Sequence, residues 1–464
     1  MGSTFLSRMK SPLPSPLLTM LARRAWVILG VLVALAVALR VLLAAYCPVP
    51  FGYVFDLYYR GITHLFRTGQ IPGPKDCWEC TNPPVFFLMG WPFYALGMKI
   101  RPGDEAFALR MAGLLPLGCG AVISIYAYRL LGAFRFDRAH RVVGAALILT
   151  FPCLFISSYG LEADIVVTAW MTVFLYYLVR YHISRDPPPM TILVVGALAG
   201  VAMLTKYSGF ITLLTALAVV AIRVTRCRVR RVLRDGTLLV GACLAVCGWK
   251  FVTNIEEHGT PFVANWPATN SYSVGSKTHR YWNIYDFATF RLGDALDLWP
   301  PNAPPGILTH QDVYYSVPTC LHAQAWTDMS FFSVPGRHGL PRAQPYPLKE
   351  VPLWLIASVL ILGVLPSALA LIGFAATLRR RFFWPLGIYT LIGMASYTWW
   401  FVAQTTWSIK TKYILFLLPA YVCYVLLGLK VLRSCRTFLA DVALVLLFAL
   451  FAVTHVYLFE FAVR

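Results

Sequence analysis

The stretch that decides the fold is "PPVFFLMGWPFYALGM", residues 83–98. It is apolar enough to enter a membrane, but it has only 16 residues and contains Pro92. A helix needs about 20 residues to cross a ~30 Å hydrocarbon core. We therefore predict an interfacial or re-entrant helix and not a crossing. The choice matters because it sets the side of the membrane on which every later loop lies.

The whole chain has the composition of an integral membrane protein. Of its 464 residues, 58% are hydrophobic and 13% are charged, and the mean hydropathy is +0.65, whereas soluble domains usually have about 25% charged residues. Apolar runs of about 20 residues recur from end to end, which predicts an all-α polytopic membrane protein. We expect about eleven transmembrane helices. The first is a retained signal anchor from about Trp26 to Tyr46, and the others are centred near residues 118, 150, 172, 198, 215, 245, 362, 392, 420 and 448.

Charge tests this topology, because cytoplasmic loops are enriched in Lys and Arg. If residues 83–98 do not cross, the N-terminus and five loops share one side and carry 22 cations against four acids, a net +18 of the formal +20. If they did cross, the Arg-rich loop at 223–234 would lie outside, against the rule. We therefore predict a cytoplasmic N-terminus. The basic charge indicates topology and not binding to nucleic acid.

Two large segments then face the non-cytoplasmic side, residues 48–104 and 254–350. We accordingly divide the chain into an N-terminal membrane module, 1–253, a large outer loop, 254–350, and C-terminal membrane helices, 351–464. Both outer segments are rich in aromatic residues and proline, which is typical of a structured lid. We expect the chemistry at this face.

Four cysteines lie outside the predicted spans on this face: Cys47, Cys77, Cys80 and Cys320. Four thiols allow three pairings. The motif "CWEC" at 77–80 is a lone CxxC with no second pair at zinc-finger spacing. A disulfide is favoured on an oxidising side, while free thiols and a metal site stay open.

Acidic residues beside apolar runs are the first candidates for a site. Asp56 follows the first span, and Glu162 and Asp164 precede another apolar run in "SSYGLEADIVVTAW". A helix cap or a solvated loop acid is the simpler explanation, since acids favour helix N-termini. The predicted topology places all three on one membrane face, where they can converge.

Cations near the same face form a second set of candidates. Lys206 and Tyr207 follow one apolar run, Lys412 and Tyr413 precede another, and Arg110 begins a third. A cation inside a membrane is costly and often functional, although a side chain that snorkels to the interface is the simpler explanation.

Several short motifs follow one another along the chain. They are Asp56 with Tyr59 after the first span, "RTGQIPGP", "NPPVFF", "FALRMAGLLP", Asp164, "LTKYSG", "EHGTPF" and "KTKYILFLLPAY". This succession resembles that of GT-C glycosyltransferases, particularly the branch of protein O-mannosyltransferases and lipid A aminoarabinose transferases. The chain departs from the family pattern at Asn82, where His is usual, at Lys412, where Arg is usual, and in having Asp56 without a second adjoining acid.

The resemblance implies a GT-C-like bundle with interfacial helices, and a multi-pass enzyme that moves a hexosyl or mannosyl group. The donor would be a polyprenyl-phosphate sugar, and the acceptor the hydroxyl of a protein, a lipid or a glycan, with inversion at the anomeric carbon. No cofactor is certain, and use of a divalent metal stays open. The bacterial inner membrane is the favoured location and the endoplasmic reticulum the alternative.

The resemblance also implies roles for individual residues. Asp56 would be the general base. Glu162 and Asp164 would orient the acceptor or a metal, Arg110, Lys206 and Lys412 would bind the donor phosphate, and Tyr59, Asn82, Pro83, Tyr207 and Tyr413 would line the substrate groove.

Two other classes of protein compete with this interpretation. A secondary transporter or lipid flippase would predict inverted repeats and charges near the middle of the membrane, whereas no repeat is evident and the acids gather at one face. An inactive receptor or scaffold with the same fold is also compatible, because fold does not fix function.

Overall fold

The computed structural model describes residues 16–46, 58–225, 228–263, 284–293, 316–327, 352–404 and 411–463. Asp56 and Cys47 lie outside these ranges. All regular secondary structure within them is helical. The first nine are α1 Pro16–Arg23, α2 Ala25–Tyr46, α3 Tyr59–Thr68, α4 Val85–Ile100, α5 Glu105–Ala112, α6 Leu114–Ala133, α7 Arg138–Thr150, α8 Pro152–Ser157 and α9 Ala163–Ile183. The others are α10 Pro189–Thr205, α11 Phe210–Ile222, α12 Val229–His258, α13 Ile284–Ala288, α14 Val317–Thr327, α15 Leu353–Leu378, α16 Trp384–Gln404, α17 Leu418–Cys435 and α18 Thr437–Val463.

Eight helical segments within the described ranges are long and apolar enough to cross a membrane. The expected count of about eleven is not confirmed. Near residue 150 the helix stops at Thr150 and restarts at Pro152, because proline lacks the N–H that would continue the helix. Near residue 198, α10 has 17 residues and is too short to count among the eight candidate spans. The decisive stretch forms the 16-residue α4, which is also outside the set of eight; its place at the interface stays a prediction.

The loops that the charge count assigned to one side meet at one end of the bundle, called here the basic end. Each of these loops contacts another across a long sequence interval. The contacts are His182 Nε2 donating to the carbonyl oxygen of Arg381 (2.9 Å), Tyr181 donating to Asp235 (2.8 Å), an ion pair between Arg231 and Asp186, and the ring of Phe134 stacked on Phe383 with 5.0 Å between centroids. Lys430 lies over the ring of Phe136, and the N-terminal α1 packs on α7. The grouping by charge therefore agrees with the packing. Which membrane face this end occupies stays a prediction.

Helices α15 and α17 cross in close backbone contact at two glycines. A Cβ atom on Gly373 would lie 1.9 Å from the carbonyl oxygen of Tyr424, and one on Gly428 would lie 2.0 Å from that of Leu369. No side chain fits such a gap, so each glycine is required by close backbone contact. This crossing fixes α17, which directly follows the segment that carries Lys412.

We predict that Gly428→Ala will destabilise the protein by about 1–3 kcal/mol or more, because the added methyl group overpacks the crossing. The matched control is Gly241→Ala in α12, where a Cβ meets nothing within 4 Å. That substitution should be neutral or stabilising by up to about 1 kcal/mol, through helix propensity. Thermal unfolding of both variants in detergent measures the difference. Equal stability of the two would contradict the close crossing.

Candidate functional site

Two buried lysine–carboxylate pairs lie at the end of the bundle opposite the basic end. Lys412 Nζ lies 3.1 and 3.2 Å from the two carboxylate oxygens of Glu162, and Lys206 Nζ lies 2.6 Å from Asp164 Oδ1. The exposed side-chain fractions are 3% and 1% in the first pair and 19% and 5% in the second. Charges in such surroundings must be paired, and each lysine here has its own carboxylate. We call these four residues the paired-lysine cluster.

The acids of the cluster belong to the start of α9. Glu162 is the N-cap residue, with extended backbone, and Asp164 lies in the first helical turn. Acids at this position also interact favourably with the helix dipole. The other end of α9 carries Tyr181 of the basic end, so one helix separates the two ends of the bundle.

Lys206 is held by a reversal of the chain between α10 and α11. Its backbone is extended, and a short 3₁₀ turn over Tyr207–Gly209 follows. A Cβ on Gly209 would lie 2.3 Å from the backbone of Ala202, so only glycine lets the chain fold back this closely. Asn254 braces the turn, because its Nδ2 donates to Tyr207 Oη (3.1 Å) and to the carbonyl oxygen of Pro261 (2.9 Å).

Tyr413 connects the two pairs. It lies beside Lys412 in the 3₁₀ segment Thr411–Leu417 that leads into α17. Its ring centroid is 4.8 Å from Lys206 Nζ and 5.5 Å from Lys412 Nζ. A ring at this distance stabilises each cation by roughly 0.5–2 kcal/mol, so Tyr413 links its own segment to the one that carries Lys206, which is remote in sequence.

A helix of the large outer loop is bonded to the same segment. In α14, Gln324 Oε1 accepts a hydrogen bond from the backbone N–H of Thr411 (2.9 Å), and Thr411 Oγ1 donates to the carbonyl oxygen of Leu321 (2.8 Å). His322 Nε2 donates to the carbonyl oxygen of Leu360 (2.9 Å). Burial lowers the pKa of His322, so its imidazole stays neutral at pH 7 and serves as an anchor for α14.

The cluster is neutral as a whole but not fully satisfied. Each lysine is already paired with a carboxylate, whereas Asp164 Oδ2 is buried and has no hydrogen-bond partner among the described residues. A buried carboxylate oxygen without a partner is costly, which points to a ligand, a cation or water at this position. No group of three His, Cys, Asp or Glu side chains comes together within the described ranges, so these residues alone do not fit a metal site.

The remaining predicted site residues lie elsewhere or outside the described ranges. Asp56 is among the latter. Arg110 is exposed on α5, and Tyr59 is half-buried in α3. Asn82 and Pro83 lead into α4. The structure therefore brings together Glu162, Asp164, Lys206, Lys412 and Tyr413 out of the predicted set.

The turn before α4 holds an acid that the sequence did not single out. Cys77 and Cys80 form a disulfide, which is the favoured alternative for "CWEC", while Cys320 is buried in α14. Asn82 Nδ2 donates to the carboxylate of Glu79 (2.6 Å), and Glu79 is only 8% exposed. Asn82, which stands where relatives usually have His, thus holds a buried acid.

Residues 81–249 match the family described as dolichyl-phosphate-mannose-protein mannosyltransferase, which confirms the resemblance inferred from the motifs. The matched range includes Glu162, Asp164 and Lys206, and it excludes Asp56 and Lys412. The sequence matches none of the curated proteins.

The fold is similar to that of a solved archaeal oligosaccharyltransferase. The oligosaccharyltransferase of Archaeoglobus fulgidus, tethered with an acceptor peptide containing the NVT sequon, has a TM-score of 0.54 at 14% identity, over 96% of this chain and 56% of that one. Its complex with Zn and sulfate has a TM-score of 0.50 at 17% identity, over 94% and 53%. The chain thus spans just over half the length of the archaeal protein. ArnT of Cupriavidus metallidurans bound to undecaprenyl phosphate gives 0.39 at 16% identity, over 88% and 79%.

We predict that Lys412→Met will lower the free energy of unfolding by about 3–5 kcal/mol, because it leaves Glu162 buried without its ion-pair partner. The double variant Glu162→Gln with Lys412→Met should recover most of that loss, since both charges are then removed. Denaturant unfolding in detergent measures all three proteins.

The control for these variants is the exposed ion pair of Arg67 and Glu105. Arg67 Nη2 lies 3.5 Å from Glu105 Oε1, and the two side chains are 68% and 47% exposed. Arg67→Met should cost less than about 1 kcal/mol. If Lys412→Met proved no worse than Arg67→Met, the Glu162–Lys412 pair would not be the buried bond described here.

Proposed function

On the premise that residues 81–249 match the dolichyl-phosphate-mannose-protein mannosyltransferase family, we propose that the protein transfers a sugar from a polyprenyl-phosphate donor to an acceptor hydroxyl. The family match is the observation that carries the proposal. The paired-lysine cluster supports it, because it gathers ionisable side chains at one end of an apolar bundle, where charge is costly and commonly functional.

Transfer with inversion needs a base on one side of the sugar and an anion site on the other. The acceptor oxygen attacks the anomeric carbon while the bond from that carbon to the phosphate oxygen breaks. The polyprenyl phosphate leaves with the bonding electrons. We assign Asp56 as the general base that takes the hydroxyl proton. An ordinary carboxylate suffices, because the hydroxyl becomes acidic as the new bond forms.

The two lysines fit the anion site with unequal roles. Lys206 keeps 19% of its side chain exposed, whereas Lys412 keeps 3%. Lys206 is therefore the cation that a donor phosphate can reach, by exchanging the carboxylate of Asp164 for a phosphate oxygen. Lys412 holds Glu162 and Tyr413 in place beside it. Preorganised cations stabilise the negative charge that develops on a leaving phosphate.

Fewer contacts support the assignments on the acceptor side of the site. Asp164, released from Lys206, can accept a hydrogen bond from the acceptor, and its free Oδ2 supports this role. Arg110 is assigned to the donor phosphate, and Tyr59, Asn82, Pro83 and Tyr207 to the groove, from the resemblance alone. The family description names a protein as acceptor, so a protein hydroxyl is the first acceptor to test. The active face would be the non-cytoplasmic one.

Replacement of the base is the first test. Asp56→Asn should lower sugar transfer roughly 100- to 10,000-fold and leave donor binding unchanged. The assay uses the full chain in lipid nanodiscs, dolichyl-phosphate mannose with a labelled sugar, and a mixture of protein and glycan acceptors. Asp76→Asn is the control, because Asp76 is a partly exposed acid of the same outer segment, with 35% of its side chain accessible.

Full turnover by Asp56→Asn would exclude the assignment of the base. A wild-type protein that binds the donor but never removes its sugar would instead favour a transporter or flippase.

Replacement of the reachable lysine is the second test. Lys206→Met should lower kcat by roughly 100- to 1,000-fold, the usual effect of losing one group that stabilises developing charge, whereas Lys206→Arg should keep part of the activity because it keeps the cation. Asp164→Asn measured alongside separates loss of the ion pair from loss of the phosphate contact. Equal activity of Lys206→Met and Lys206→Arg would contradict a phosphate role.

A further inference from the structure

Arg40 is a cation in the apolar part of α2, and the proposed reaction does not use it. Most of α2 is exposed on the outside of the bundle. Arg40 precedes the last residue of this helix, Tyr46, by six positions, which corresponds to about 9 Å along the helix axis. A cation at such a depth in a membrane is costly unless its side chain reaches the interface or finds an acid.

The side chain of Arg40 neither reaches the interface nor meets an acid. Its Nη1 donates to the carbonyl oxygen of Ala36 (3.0 Å), one turn back toward the basic end, so the guanidinium points away from the nearer end of its helix. Its Nε donates to Ser158 Oγ (3.1 Å), and its Cζ lies 4.8 Å from the ring centroid of Phe155. In the part of the chain that the structure describes, Arg40 has no ion-pair partner and its Nη2 has no hydrogen bond. The guanidinium therefore keeps an uncompensated charge and unused N–H donors.

Ser158 holds the guanidinium close to the candidate site. Its hydroxyl donates to the carbonyl oxygen of Phe155 (2.6 Å) while it accepts from Arg40. Helix α6 packs directly behind it, since a Cβ on Gly120 would lie 2.8 Å from Ser158 Cβ. Ser158 precedes Glu162 by four residues, which a chain spans in at most about 14 Å. Arg40 is thus fixed beside the segment that leads into the paired-lysine cluster.

The counter-ion that Arg40 lacks is best supplied from the lipid side. Val37 and Val41 of the same helix are 55% and 62% exposed, so apolar surface surrounds the approach to the guanidinium. A free anion would have to leave water to arrive there, whereas an anion carried on a lipid can arrive laterally. In the paired-lysine cluster an incoming anion must displace a carboxylate from its lysine. At Arg40 no carboxylate has to be displaced.

We propose that Arg40 binds the phosphate of the free polyprenyl phosphate that the reaction releases, an assignment that rests on the function proposed above. When the sugar leaves, the phosphate changes from a diester with a single negative charge to a monoester that carries about 1.5 to 2 negative charges at pH 7. A guanidinium binds such a group through two parallel N–H···O bonds. Arg40 therefore favours the product over the donor, and Lys206 regains Asp164 when the product moves to Arg40.

Binding measured without turnover tests the proposal. The full chain in a neutral detergent is titrated with undecaprenyl phosphate, and the Kd and the unfolding temperature are recorded. Arg40→Met should weaken binding roughly 10- to 100-fold, the usual effect of losing hydrogen bonds to a charged group. Arg40→Lys should lose less, because it keeps the charge. Without the lipid, Arg40→Met should unfold at the wild-type temperature or above it, since it removes a charge that has no partner.

The matched control is Arg24→Met, which removes an exposed cation just before the start of α2 and should change the Kd less than about 2-fold. Undecaprenol, which lacks the phosphate, and phosphatidic acid, which carries a phosphate monoester on another lipid, should both bind more weakly than undecaprenyl phosphate. So should dolichyl-phosphate mannose, which is a diester.

A purely structural arginine would give the opposite result, in which Arg40→Met unfolds at a lower temperature and keeps the wild-type Kd. Equal affinity for phosphatidic acid, or for dolichyl-phosphate mannose, would also overturn the assignment of the released carrier. The two proposals fail separately. A wild type that binds undecaprenyl phosphate through Arg40 but transfers no sugar would contradict the proposed function and leave a phosphate site. Sugar transfer together with normal product binding by Arg40→Met would contradict the role of Arg40 alone.

Discussion

The ion pair between Glu162 and Lys412 is the constraint on which the rest of the structure depends. The two residues are 250 positions apart and are almost completely excluded from solvent. Neither charge could remain there alone, because the cost of removing an ion from water is recovered only by its partner. The N-terminal module and the C-terminal helices are therefore held in one arrangement. The close crossing of α15 and α17 then leaves α17 little freedom to shift and break the pair.

Charge alone predicted which loops lie together at one end of the bundle. The loops that contain Phe134, Arg231 and Phe383 were grouped by counting cations, and the structure packs them together. The number of spans was harder to predict, because an average of hydropathy over a window does not detect a helix break of one residue. Phe151 and Pro152 interrupt an apolar run that reads as continuous, so a window average counts one long helix where there are two short ones.

The candidate site was only partly visible in the sequence. Lys206 and Lys412 stood out because a cation is rare in an apolar run, but no sequence pattern pairs each lysine with its acid. Gln324 and Asn254 had no local signal at all. Their hydrogen bonds span 87 and 47 residues, and a polar side chain that braces a distant segment looks like any other loop residue. The position of Asp56, outside the described residues, stays a prediction from the motifs.

The long interval between Glu162 and Lys412 has a consequence for synthesis of the chain. A ribosome that adds about 5–20 residues per second needs roughly 12 to 50 seconds to make the 250 residues that separate them. During that time Glu162 is present in a nascent chain whose cation does not yet exist. A carboxylate in that condition must stay hydrated or take up a proton. If the carboxylate stays ionised, helix α9 therefore reaches its final buried position only after the chain has been made as far as Lys412.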